Sequence, residues 1–167
     1  MNDIRWTYLK EVLERYGEAF IKNAQQNLIS RDAVASGNLI QSMEIDNIEI
    51  NDRMMSVTLS LADYWYYVEN GRKAGKMPPI SAIEKWIEVK PVIPKVMKNG
   101  KIPTVRQQAF AIARSIGKKG TKPKKFFEKA KTQTWKQFKD AIAEAIDKDI
   151  HEFVIAEVEK MAGIWTK

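Results

Sequence analysis

The sequence predicts an α+β domain: a small antiparallel β-sheet packed on an N-terminal helix and a long C-terminal helix, with extended loops placed for inter-subunit contact. Three observations carry that expectation. Apolar residues recur every three or four positions near both ends of the chain. They alternate at every second position over 48–50 and 55–61, and proline and glycine interrupt the stretch that follows. The first pattern is the stripe of an amphipathic helix, the second a half-buried strand pair, the third a set of turns and loops. At 167 residues, without repeats, the chain reads as a single domain over 1–167.

From Ile4 to about Ser30, the residues Trp6, Leu9, Val12, Leu13, Tyr16, Phe20, Ala24 and Leu28 form one helical stripe. "SRDAVASGNLIQSM" then reads as a loop leading into a short helical turn. In "EIDNIEINDRMMSVTLSLA", Ile48 and Ile50 flank Glu49, and Met55, Val57, Leu59 and Leu61 alternate with Ser56, Thr58 and Ser60. With Asn51-Asp52-Arg53 as turn residues, this is a β-hairpin. The aromatic run after it predicts a helical turn stopped by Gly71. "ISAIEKWIEVK" is a short helix with Ile80, Ile83, Trp86 and Ile87 on one side. Residues 90–103 hold three prolines and a glycine and read as an extended loop or tiny hairpin. "TVRQQAFAIARSIG" is helical, ending at Gly117, and a last helix runs from Phe126 to about Met161. Its stripe comprises Phe127, Ala130, Trp135, Phe138, Ile142, Ile146, Ile150 and Phe153.

Composition narrows the function. Apolar residues make up 44% and charged residues 29%, which excludes a disordered chain. No apolar run approaches the roughly 20 residues of a membrane span, and the N-terminus lacks the apolar core of a signal peptide. Without cysteine there is no disulfide framework, thiolate site or cysteine nucleophile, and folding in a cytosol is expected. The net charge of +7 is unevenly spread. Residues 1–71 carry 6 basic and 11 acidic side chains, 72–139 carry 19 and 3, and 140–167 carry 3 and 7. Such segregation steers polyanions, and it also orients copies of a protein head to tail.

Signs of catalysis are poor. The lone His151 lies near Asp147 and Asp149, a set short of the ligands a metal needs; the simpler reading is a solvated polar face. Asp63 and Glu69 serve equally as a carboxylate pair or as a helix cap and an end charge. No phosphate loop, nucleophile elbow or dinucleotide fingerprint is present. We therefore expect no enzyme activity and no cofactor.

Two stretches stand out as contact surfaces. In "DYWYYVENGRKAGKMPP", consecutive residues point different ways, so Tyr64, Trp65, Tyr66 and Tyr67 cannot all enter one core. Aromatics with a polar tip suit an interface, and with Glu69, Gly71, Arg72, Lys73 and Lys76 they are the expected subunit or partner contact. In "KKGTKPKKFFEKAK", Lys118, Lys119, Lys122, Lys124 and Lys125 are expected to meet a polyanion or an acidic partner, while Phe126 and Phe127 pack in the core.

Three blocks in this order resemble the neck and tail-completion proteins of long-tailed double-stranded-DNA bacteriophages. "ASGNLIQSM" at 35–43 is similar to the family's small-residue-Gly-x-Leu-x-x-Ser pattern. "DYWYYVENGRKAGKMPP" at 63–79 is similar to its Tyr-x-x-x-Val-Glu-x-Gly segment, and "IGKKGTKPKKFFEKA" at 116–130 to its Gly-x-x-Pro-x-x-Phe-x-x-x-Ala pattern. The chain departs from it at Gly71-Arg72, where the family has Gly-Thr, and in a long insertion over 80–103. The resemblance implies a non-enzymatic virion protein assembled in the host cytoplasm. It would form a homo-oligomeric six-fold or twelve-fold ring joining portal or head-completion proteins to the tail terminator or tail tube. DNA would pass through the lumen, with at most nonspecific contact, and no membrane would be involved. Gly37, Leu39 and Ser42 would shape the approach to the sheet. Tyr67, Val68, Glu69 and Gly71 would form the turn into the interface loop, and Gly120, Pro123, Phe127 and Ala130 the start of the last helix. The other reading is a basic accessory protein that binds nucleic acid nonspecifically.

Overall fold

The computed structural model describes residues 4–51, 53–90, 92–96 and 100–165. It is mixed helix and sheet. The elements are α1 (Thr7–Ser30), α2 (Asn38–Gln41), β1 (Glu44–Asn51), β2 (Met54–Ser60), α3 (Trp65–Asn70), α4 (Ile80–Val89), α5 (Val105–Lys119) and α6 (Phe126–Trp165). They fall into two compact units, one from 1–26, 43–60 and 127–167, the other from 27–42 and 61–126.

The first unit is the expected hairpin on two helices. Leu9, Val12 and Leu13 of α1 pack with Ile142 and Ala145 of α6, and Ile48, Ile50 and Val57 of the hairpin close over them. Alternation puts these three on one face because β1 and β2 pair antiparallel, Ile48 opposite Val57. A bulge between Ile45 and Asn47 adds a residue to β1. The Asn51 side-chain oxygen accepts from the Arg53 and Met54 backbone N–H groups at 3.0 and 2.9 Å, closing the turn. Edge-to-face pairs Tyr16–Phe138 and Phe20–Phe127 join α1 to α6.

The start of α1 is capped from a distance. Asp149 on α6, 2% exposed, accepts from the backbone N–H groups of Thr7 and Tyr8 at 3.0 Å and of Leu9 at 2.9 Å. One carboxylate thus satisfies three of the four N–H groups that a helix start leaves without intrahelical partners, and places negative charge at the positive end of the helix dipole.

In the second unit α4 packs on α5, and Leu28, Leu39, Ile87, Ala109, Ala113 and Phe126 are buried. Thr104 and Gln107 form a reciprocal capping box at the start of α5. Residues 92–96 and 100–104 carry no strand, so the loop reading holds for them; Pro91 and 97–99 lie outside the described residues.

Three details depart from the sequence reading. Helix α5 does not stop at Gly117 but runs to Lys119 and is capped by Gly120. The missing side chain at Gly117 is used for packing: a Cβ there would lie 3.3 Å from the Gly75 carbonyl oxygen and the Met77 Cα. Trp135 and Ile150, expected on the buried stripe of α6, are exposed: each directly follows a buried residue, Thr134 and Asp149, and so sits about 100° further round the helix, off the covered face. Met55, expected inward, is exposed beside the hairpin turn.

Candidate functional site

The contact residues singled out in the sequence meet in the second unit. Helix α3 has only six residues, and a turn of about 100° per residue splays its aromatics apart. Tyr66 and Tyr67 are 57% and 61% exposed and Tyr64 is also exposed, while Trp65 is half-buried and Glu69 is buried. Glu69 therefore faces the interior of the chain rather than the surface expected of a partner contact.

Helix α3 ends at Gly71 (φ 71°), and α5 ends at Gly120 (φ 71°). The segments beyond the two glycines run against each other. The backbone of Arg72 donates to Thr121 O at 3.2 Å and accepts from Thr121 N at 2.8 Å, and Arg72 N also meets Thr121 Oγ1 at 2.9 Å. Lys124 N and Lys125 N donate to the Val68 and Glu69 carbonyls, satisfying the end of α3, and Gly75 N donates to Gly117 O. The approach is close enough to require glycine. A Cβ on Gly71 would collide with the Thr121 carbonyl, and one on Gly120 with the Arg72 carbonyl.

This strap forms one wall of a groove of about 680 Å³. Val68, Ile83, Trp86, Ile112 and Ile116 supply an apolar floor, with Tyr64 and Tyr67 at the margin. Arg72, Lys90, Lys122 and Lys124 bring four cations to the lining, against one carboxylate, Asp32. That carboxylate is already matched: Lys90 Nζ lies 2.7 Å from Asp32 Oδ1 and 2.6 Å from its carbonyl oxygen. The hydrogen bond and charge of Lys90 hold the Asp32 carboxyl below the ordinary range. Lys124 is tied by Nζ to the Arg31 carbonyl at 2.9 Å, and Arg72 by one guanidinium nitrogen to the Lys76 carbonyl at 2.8 Å. Lys122 is exposed.

Five expected contact residues thus line one groove: Tyr64, Tyr67, Arg72, Lys122 and Lys124. Trp65, Tyr66, Lys73, Lys76, Lys118, Lys119 and Lys125 do not line it. Lys125 approaches Asn70 Oδ1 at 3.4 Å, and Lys118 and Lys119 sit in the last turn of α5, where its dipole favours cations. The sequence reading missed Ile83, Trp86, Ile112 and Ile116 as groove residues. Their signal was present in helices α4 and α5, whose apolar positions exceed what one buried face consumes.

The acidic face near His151 is also resolved. Asp149, read as part of a solvated face or metal pair, is the buried cap of α1, and His151 is exposed. Among the described residues no three His, Cys, Asp or Glu side chains are grouped to hold a metal, and no helix is long and apolar enough to cross a membrane. No protein-family model, curated protein or solved structure matches the chain.

Proposed function

We propose that this chain is a structural subunit that assembles with other proteins, forming a homo-oligomeric ring in the neck of a long-tailed bacteriophage. In that place it joins portal or head-completion proteins to the tail, and DNA passes through the lumen. The observation that supports this reading is the groove. Two sequence blocks that resemble the neck family, bridged by Arg72 and Thr121, 49 residues apart, are strapped together by backbone hydrogen bonds into one wall of an apolar trough carrying cations. Apolar floor, aromatic margin and charged surround are the anatomy of a protein interface. Exposed Ile93, Val96 and Ile102 in the adjoining loop add apolar surface of the same kind. The test is genetic. Removing the gene should yield filled heads and separate tails that fail to join, and supplying the protein should restore joined particles. Normal joined particles without the chain would refute the proposal.

A second reading, nonspecific binding to nucleic acid, draws on the exposed Lys118, Lys119 and Lys122. It requires DNA affinity that falls steeply with salt. The groove favours the first reading, since its cations surround an apolar floor rather than track a phosphate backbone.

A further inference from the structure

The last turns of α6 carry an apolar stripe that the described residues leave exposed. From Ile150 to Gly163 no described residue is buried, and Val158 and Met161 are 53% and 54% exposed. Ile150, Val154, Val158 and Met161 lie within about 80° of one another around the helix and along about 16 Å of its axis. Glu157 borders this stripe on one side; Glu152 and Glu159 lie on the other, beyond the exposed Ile155. Residues 150–163 hold three carboxylates and one lysine, so the surface is apolar with acidic margins. The groove of the second unit is its complement in both respects: apolar in the floor and basic around it.

We infer that the end of α6 from one copy of this chain seats in the groove of a second copy. The stripe meets Ile83, Trp86, Ile112 and Ile116, and the flanking glutamates meet Arg72 and Lys122. This rests on the self-assembly in the reading above and names the surfaces that carry it. Donor and acceptor differ, so each contact leaves one free groove and one free helix. Copies therefore add head to tail, and a rotation between neighbours that closes makes the ring. The charge segregation along the sequence follows from the same arrangement, with the acidic C-terminal segment of one copy meeting the basic middle segment of the next.

Sedimentation of the full-length protein tests this with two variants. One carries V154D and V158D on the helix; the other carries K122E and W86E in the groove. All four positions have exposed side chains, and far-UV circular dichroism checks folding. Wild-type protein should self-associate, and each variant alone should associate at least about tenfold more weakly. An equimolar mixture should form one heterodimer and stop, because it pairs the sole intact groove with the sole intact helix. Three results would overturn the inference: a monomeric wild type, a mixture that stays monomeric, or a groove variant that associates like wild type. The last would mean that stripes pair with each other.

Because the chain lacks cysteine, crosslinking gives a second readout, and a covalent bond accumulates even where the loss of the Tyr67 ring weakens the contact. Oxidised Y67C/V158C protein should form a covalent ladder, whereas V158C alone should stay uncrosslinked; dimers from V158C alone would overturn the contact. Failure here is distinct from failure of the neck reading. Particles whose neck copies touch elsewhere refute only the contact, while head-to-tail association of a chain with no place in a virion refutes only the neck.

Discussion

Replacing Gly120 with alanine should dismantle the wall of the groove. The backbone there has φ 71° and ψ −162°, a region that residues with a side chain scarcely occupy, at a cost of about 1–3 kcal/mol. The added Cβ would also strike the Arg72 carbonyl oxygen and lie 2.9 Å from Lys73 C and 3.0 Å from Ala74 N. These are backbone atoms, so no side chain can swing aside. Relief requires separating Arg72 from Thr121, which breaks two backbone hydrogen bonds and the bond to Thr121 Oγ1. At about 1 kcal/mol each, the three bonds bring the combined loss to about 4–6 kcal/mol, a large share of the 5–15 kcal/mol typical of a domain. Urea unfolding reads the loss, and amide hydrogen exchange locates it. Protection should fall at Arg72, Thr121, Lys124 and Lys125 while the capped amides of Thr7 and Leu9 keep theirs. Gly163→Ala is the control: no atom of the described residues lies within 4 Å of the new Cβ, and the change should be neutral or slightly stabilising. A Gly120→Ala protein with wild-type stability and protection would refute the close-approach account of the strap.

Asp149→Ala should leave three N–H groups at the start of α1 without their acceptor and destabilise the protein by about 2–4 kcal/mol, measured by thermal unfolding. A loss below about 0.5 kcal/mol would mean that water replaces the cap at little cost. Lys90→Gln should raise the Asp32 carboxyl toward its ordinary range, followed by NMR titration of its carboxyl carbon. The sign is that of a lowered carboxylate. In the native protein the Asp32–Lys90 clasp is present above the ordinary carboxylate pKa and is lost as pH falls through the depressed value. An unchanged titration in the variant would contradict the pairing. Tyr67→Ala, at a well-exposed position, should alter stability by no more than about 0.5 kcal/mol yet weaken self-association, separating a contact residue from a folding residue.

The fold was legible where one local pattern decides one local structure. The stripe from Leu9 to Leu28, the alternation from Val57 to Ser60 and the glycine stop at Gly71 each match the observed element. Patterns misled where a long-range partner decides. Gly117 ends a helix by local rule, yet here it lets the 75–77 segment lie across α5. Trp135 and Ile150 keep roughly helical spacing with Phe138 and Ile142, but periodicity cannot tell which side of a broad stripe the core covers, and here it covers the neighbouring Thr134 and Asp149 instead. Asp149 illustrates the same limit, because its use as a cap depends on Thr7, 142 residues away. For the groove, the sequence pointed to Tyr64, Tyr67, Arg72, Lys122 and Lys124 as contact-prone types. That they share one site follows from the Arg72–Thr121 bridge, which no local signal announces.

Electron microscopy of purified particles, with the chain located and its copies counted, decides whether this protein joins head to tail. Its density should form a closed ring at the junction of head and tail, with neighbouring copies in contact. Intact particles with no copy at that junction, or a single copy touching no other, would contradict it.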